Sequence, residues 1–294
     1  MTVFVLPSRT MTIASIPSPP ISTFEIGPLT IHIYALCILA GIIAAVAITT
    51  VRWKRVGGDF DQVLDIAIVS VLSGIVGARL YHIVTTPERF FGPDGDAMEM
   101  FRIWNGGLGI WGGILFGVLA AWGWCRHKRY PMALLADAVA PALLVAQAIG
   151  RLGNWFNREL YGAETTLPWG LDVDGSGTLY HPTFLYEMVW NLIGAAVIVW
   201  IGRKAANALK AGSLLTIYVM WYTAGRTWIE ALRIDYAHTF LGVRINVWVS
   251  IAVFICGVIA FVIVQHVGSR PEPLRDRLAA VTAHEQTEQS NNAA

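Results

Sequence analysis

Residues 150–162 (GRLGNWFNRELYG) bring Arg151, Asn154, Asn157, Arg158 and Glu159 together directly after the apolar stretch 133–149. Charged and amide groups beside hydrocarbon are costly, and that cost marks a pathway or an active site. A guanidinium presents planar, paired donors that suit an anion, which at a membrane surface means a phospholipid phosphate. A second group of the same character lies at Arg226, Glu230 and Arg233, spaced i, i+4 and i+7 on one helical face. Such a face has to turn toward a pocket and away from lipid. One carboxylate cannot neutralise both arginines, so Arg226 reads as ligand-facing and Glu230 as its ionic partner.

Other polar positions carry a plainer reading beside the chemical one. His181-Pro182 opens an apolar run, with Pro182 suited to a first helical turn and Tyr186 and Glu187 one turn on. His181 reads equally as a helix cap and as a catalytic group. Tyr34, in the first apolar run, taken alone is an interfacial tyrosine. Arg79 lies deep in the second run; snorkelling is the first reading and a second phosphate contact the alternative. Asp65 and Asp137 are isolated and read as bonding neighbouring helix ends. The cluster 106–113 (GGLGIWGG) suits either a re-entrant turn or close helix packing. Gly175-Ser176-Gly177 lacks the strand–turn–helix setting of a serine nucleophile and reads as a turn. Cys37, Cys125 and Cys256 are scattered in apolar segments, which fits neither a disulfide framework nor a metal site.

The elements that must position these groups are membrane helices. Of 294 residues 55% are hydrophobic and 14% charged, against about 25% charged in soluble proteins. A net charge of +1 excludes nucleic-acid binding through a broad basic surface. Runs long enough to span a bilayer fall at 29–51, 63–84, 106–124, 132–149, 183–201, 213–229 and 245–267. The expected fold is therefore an all-α polytopic membrane protein with seven transmembrane helices. With the N-terminus outside and the C-terminus cytoplasmic, twelve Lys and Arg residues lie inside against seven outside, and all four lysines are inside. That orientation makes 151–180, between the fourth and fifth spans, a small extracytoplasmic head. Residues 1–28 read as a soft extracytoplasmic arm, with Met11 an alternative start, 29–267 as the catalytic domain, and 268–294 as a disordered cytoplasmic tail. No internal repeat of the transporter kind is evident.

Taken in order, these motifs resemble those of the prolipoprotein diacylglyceryl transferase family. The resemblance rests on Gly150-Arg151-Leu152-Gly153-Asn154 through Asn157, Glu159 and Gly162, on Tyr34, on Gly77-Ala78-Arg79 and on the glycine cluster. Asp137, the stretch 181–187 (HPTFLYE), and Gly225-Arg226 with Glu230 and Arg233 extend it over about residues 24–267. It implies an enzyme of the bacterial cytoplasmic membrane that moves diacylglyceryl from phosphatidylglycerol to the lipobox cysteine of a preprolipoprotein signal peptide. A thioether forms and sn-glycerol 1-phosphate leaves; no cofactor or metal is expected, and a monomer is the simplest state. Arg151 and Arg226 would stabilise the growing phosphate charge, joined by Tyr34 and His181 as catalytic groups. Asn154, Asn157, Glu159, Tyr186, Glu230, Arg233 and Arg79 would form the substrate-binding set, with Asn157 more a loop brace. In well-known members the glycine cluster carries a histidine proposed as the base. Here that position is Trp111, which leaves the base to His181 or Tyr34, or leaves the thiolate to the arginine field alone. The competing reading is a transporter or channel for a small anion with the same arginines as its filter. A metal-dependent phosphatidyltransferase would need clustered aspartates, which the chain lacks.

Overall fold

The computed structural model describes residues 15–27, 29–93 and 95–270. The tail 271–294 and the first fourteen residues, Met11 among them, lie outside the described residues. The long helices are α1 (Ile33–Arg55), α2 (Phe60–Thr85), α4 (Ile110–His127), α5 (Met132–Asn157), α6 (Thr183–Lys204), α7 (Ser213–Leu232) and α8 (Ile245–Val267), with a one-turn α3 (Glu88–Phe91). Short strands β1 (Ile16–Pro17), β2 (Thr23–Ile26), β3 (Leu29–His32), β4 (Leu171–Asp172), β5 (Leu179–Tyr180), β6 (Thr239–Phe240) and β7 (Val243–Arg244) decorate the helix ends.

Five helices, α1, α2, α5, α6 and α8, are long and apolar enough to cross a membrane. This gives an all-helical, multi-pass membrane architecture. The third and sixth runs are also helical, but α4 and α7 are less apolar. Helix α4 is rich in Gly and Trp and closes on Arg126-His127, while α7 carries Arg226 and Glu230 among threonines.

The chain forms two compact units. One holds the described residues of Val46–Val139, Leu209–Gly212 and 267–270. Its core gathers Trp53, Val63, Ile66, Cys125, Leu134, Leu135 and Ala138. A reciprocal cap starts α2: Asp59 accepts from the Gln62 amide at 2.9 Å while the Gln62 side chain accepts from the Asp59 amide at 3.3 Å. Where the sequence suggests a span from 106, the helix begins at Ile110. Gly106 and Gly107 have φ of +80° and +77° and form a turn that Gly tolerates without strain. Past the turn the packing is close: a Cβ on Gly112 would lie 2.2 Å from the Gly77 carbonyl oxygen. The glycine cluster thus serves as a turn in its first half and as a helix contact in its second.

The other unit holds the described residues up to Ala45, with Ala140–Ala208 and Ser213–His266. Strand β1 pairs in parallel with β4, which pairs antiparallel with β5, and β2–β3 form a hairpin. Part of the segment read as an N-terminal arm is therefore built into strands. Helix α1 meets α5 through small residues, with a Cβ on Gly41 reaching the Ala146 carbonyl at 3.0 Å. Helices α6 and α7 are joined by a reciprocal contact. Trp190 Nε1 donates to the Trp221 carbonyl, Trp221 Nε1 donates to the Trp190 carbonyl, each at 3.0 Å, and the rings stack 4.7 Å apart. Each indole lies on the facing helix's glycine; a Cβ on Gly194 or Gly225 would fall 2.2 Å from the opposing Nε1.

Candidate functional site

Helix α5 continues past the expected end of its span to Asn157, so Arg151 and Asn154 stand on its last turns and not in a loop. The continuation is held by the polar residues themselves. Arg151 Nη1 donates to Asn154 Oδ1 at 2.9 Å, one turn on. Asn154 Nδ2 donates to Glu159 Oε1 at 2.8 Å, and Asn157 Nδ2 reaches the same oxygen at 3.3 Å. Beyond the helix, Arg158 and Leu160 adopt φ of +55° and +61°, a costly conformation for residues with a Cβ. Two groups pin it: the Arg158 guanidinium donates to the Pro19 carbonyl at 2.8 Å and 3.2 Å, and the Thr183 hydroxyl donates to the Leu160 carbonyl.

The second arginine comes from α7, and one buried carboxylate ties the two together. Glu187 on α6, only 5% exposed, accepts from Arg151 Nε on Oε2 at 2.7 Å and from Arg226 Nη1 on Oε1 at 3.2 Å. Arg226 also donates through Nη2 to Glu230 Oε2 at 2.5 Å. Fully buried Glu230 accepts further from Arg244 Nε and Asn246 Nδ2, both at 2.9 Å on Oε1, and from Arg233 Nη1 at 3.4 Å. Arg233, just past the end of α7, faces Asp235 with both forks, at 2.8 Å and 2.9 Å. Asp235 also accepts from Arg244 Nη2 at 3.0 Å. Burial acts to raise the Asp235 pKa, but the guanidiniums of Arg233 and Arg244 prevail and hold it below the ordinary carboxylate value.

Each guanidinium has five N–H donors. Arg151 commits two of them, to Glu187 and Asn154, and Arg226 two, to Glu187 and Glu230. The remainder have no partner among the described residues. Two arginines from different helices are thus fixed by a shared carboxylate, 19% and 17% exposed at their side chains, with donors left over that are chemically suited to an oxyanion.

The other expected site residues divide between the two units. Tyr34, at the start of α1, packs its ring on Gly153, where a Cβ would fall 2.4 Å from Cδ2. His181 Nδ1 shares a hydrogen bond with the Tyr186 hydroxyl at 3.2 Å, which also accepts from Trp169 Nε1 at 3.2 Å. The His181 backbone accepts from Gly162 and donates to Ala163, which anchors the chain ahead of α6. Arg79 belongs to the other unit. Its guanidinium donates to the carbonyls of Glu99, Met100, Arg102, Gly106 and Gly107 and lies 5.4 Å from the Phe90 ring centroid. Those bonds close the 99–107 segment over α2. Trp111 is also in that unit, exposed in the first turn of α4.

The sequence reading left three site groups out of its set. Glu187 was visible as an acid inside an apolar run, but its two partners are long-range. Arg244 and Asn246 carry no signal in the sequence beyond their places at the start of the last apolar run.

Comparison with known proteins supplies the chemistry such a receptor serves. A family model described as prolipoprotein diacylglyceryl transferase matches residues 21–263. A Bifidobacterium adolescentis protein named phosphatidylglycerol–prolipoprotein diacylglyceryl transferase is 69% identical over 290 residues, covering 92% of this chain and 86% of its own. Proteins of the same name from Bifidobacterium longum and Cutibacterium acnes are 56% and 49% identical, covering 95% and 85% of this chain and 95% and 87% of theirs.

Proposed function

Since the chain belongs to the prolipoprotein diacylglyceryl transferase family, we propose that its paired arginines bind the phosphate of phosphatidylglycerol during transfer to a prolipoprotein. The protein is a transferase, and phosphatidylglycerol and a prolipoprotein are its substrates; family membership sets aside the anion-channel reading. The acceptor is the thiol of the lipobox cysteine in the signal peptide. Its sulfur attacks the glyceryl carbon that carries the phosphate, a C–S bond forms, and the C–O bond breaks with its electron pair going to the phosphate oxygen. The thiol proton ends on the released sn-glycerol 1-phosphate or in solvent, so the products are a thioether and a phosphomonoester.

The observation that carries this reading is the Glu187 bridge, which ties Arg151 and Arg226 to one buried carboxylate. Charge on the leaving phosphate grows as the C–O bond breaks, and guanidiniums in a water-poor site stabilise it without reorganising. The same field favours the attacking thiolate. His181, hydrogen-bonded to Tyr186 through Nδ1, keeps Nε2 for a proton, and we assign it with Tyr34 to handling the thiol proton. Asn154 and Glu159 orient Arg151, with Asn157 bracing the turn, and Tyr186 holds the His181 ring. Glu230 and Arg233 support Arg226 from behind. Arg79 serves its own unit as a loop clasp.

In the membrane, we read all seven long helices as spans: α4 turns Ile114, Leu115, Val118, Leu119 and Trp122 outward as a lipid-facing surface, and α7 buries Thr216, Thr223 and Glu230 against its neighbours. The N-terminus is outside and the C-terminus cytoplasmic, which puts the arginines at the extracytoplasmic side of the bacterial cytoplasmic membrane. The test is purified protein in detergent with phosphatidylglycerol and a lipobox peptide. Release of glycerol 1-phosphate matched by a diacylglyceryl mass gain on the cysteine is expected. Release without peptide modification, or neither while phosphatidylglycerol still binds, would refute the reaction.

A further inference from the structure

Arg244 stands fourteen residues beyond Glu230, on the last residue of the β6–β7 hairpin, and every one of its nitrogens is engaged. Nε donates to Glu230 Oε1 at 2.9 Å, Nη2 to Asp235 Oδ2 at 3.0 Å, and Nη1 to the carbonyls of Asp235 at 2.7 Å and Arg233 at 3.3 Å. A guanidinium spent in this way has little left for a ligand. It acts on the one oxygen of Glu230 that Arg226 does not use.

We propose that Arg244 is a positioning residue for the transfer reaction: by holding Oε1 of Glu230, it keeps that carboxylate from neutralising Arg226 and so preserves the positive charge that meets the phosphate. The inference rests on the reading of Arg226 as a phosphate ligand. Its argument is one of charge. Four guanidiniums (Arg151, Arg226, Arg233, Arg244) are joined directly to three carboxylates (Glu187, Glu230, Asp235), which leaves one positive charge in excess. Without Arg244 the cluster is neutral. Arg233 is closer in sequence but cannot substitute, because both its forks are committed to Asp235 and its contact with Glu230 is 3.4 Å. Asn246 completes Oε1 at 2.9 Å with a neutral donor, so it satisfies the oxygen without altering the charge. In a site of low effective dielectric, moving one unit of charge at this range changes anion stabilisation appreciably.

The experiment measures kcat and KM for phosphatidylglycerol in Arg244→Gln, Arg244→Lys, Asn246→Asp and the double variant Arg244→Gln/Glu230→Gln, with Arg226→Ala in parallel. Phosphate charge is greatest in the transition state, so Arg244→Gln should lower kcat about tenfold and raise KM much less. Arg244→Lys should restore most of the loss, since it returns the charge. Asn246→Asp keeps Arg244 in place but cancels the excess charge, and should lower kcat by a similar factor. The double variant should turn over faster than Arg244→Gln, because removing the negative charge of Glu230 restores the cluster's excess positive charge at Arg226; a purely structural Arg244 predicts a double variant no faster than the single. Near-wild-type kcat in both Arg244→Gln and Asn246→Asp would overturn the proposal, as would a double variant no faster than Arg244→Gln. If Arg244→Gln does not accumulate in membranes, Asn246→Asp and Arg244→Lys decide. Turnover by Arg226→Ala would instead refute the phosphate assignment on which the inference rests.

Discussion

Replacing Arg226 by lysine separates charge from geometry at the centre of the site. The guanidinium spans two carboxylates on two helices, Glu187 Oε1 at 3.2 Å and Glu230 Oε2 at 2.5 Å. An ammonium is a compact point charge that keeps the positive charge but cannot hold both acids and an oxyanion in one plane. At least one charge-assisted bond is lost, worth about 1.5–3 kcal/mol. Neither acid is stranded by the change: Glu187 keeps Arg151, and Glu230 keeps Arg233, Arg244 and Asn246. The fold should therefore survive, and the loss should appear in the reaction. At about 1.36 kcal/mol per factor of ten, Arg226→Lys should run roughly 10- to 100-fold slower than wild type, while Arg226→Ala shows no measurable transfer. The assay is initial release of glycerol 1-phosphate from phosphatidylglycerol in mixed micelles at saturating lipobox peptide, with membrane levels matched. A lysine variant working within twofold of wild type would refute the two-acid bridge as the source of the site's geometry.

Arg151→Ala should abolish transfer yet insert normally, which membrane fractionation beside the same assay checks; retained turnover would remove Arg151 from the phosphate site. Gly153→Ala should lower both thermal stability and rate, because the new methyl falls 2.4 Å from the Tyr34 ring; overpacking of this kind costs about 1–3 kcal/mol, and an unchanged melting temperature would speak against the Tyr34 contact. Asp235 has a folded pKa below its unfolded value, so its contribution to stability is fully present above the unfolded pKa and is lost as pH falls through the folded one. Stability followed from pH 8 to pH 5 should accordingly be the same in Asp235→Asn and wild type in slope, though not in level, and a slope that Asp235→Asn removes in that window would contradict the ion pairs drawn here. Trp111→His should leave the rate near wild type, since the reaction is assigned to residues of the other unit; a large gain would show that the glycine-cluster histidine is needed after all.

Local relations in this chain are legible in its sequence. The apolar runs locate the seven long helices, and i to i+4 spacing puts Arg226 and Glu230 on one face, where they pair. What sequence missed is long-range or context-dependent. Polar residues 150–157 look like a loop, but helix persists there because Arg151 and Asn154 satisfy each other. Glu187 gains its meaning only from arginines 36 and 39 positions away, which no spacing rule connects. Arg244 likewise reads as one more loop cation until the hairpin folds it onto Glu230. The strands at 16–17 and 171–172 are too short for any alternating pattern and form only by pairing, the first on the second and the second also on 179–180.

The tryptophan pair between α6 and α7 bears on how this site can change over evolutionary time. Trp190 stands one turn from Glu187, and Gly225 is the immediate neighbour of Arg226. The separation of that carboxylate and that guanidinium is thus set by indole lying on bare backbone. Neither glycine can acquire a side chain unless the facing tryptophan shrinks in the same lineage, and neither tryptophan can shrink without opening a void against the other. Four positions outside the chemistry are therefore bound to vary together or not at all, and a search for compensated variants should mutate them as a set.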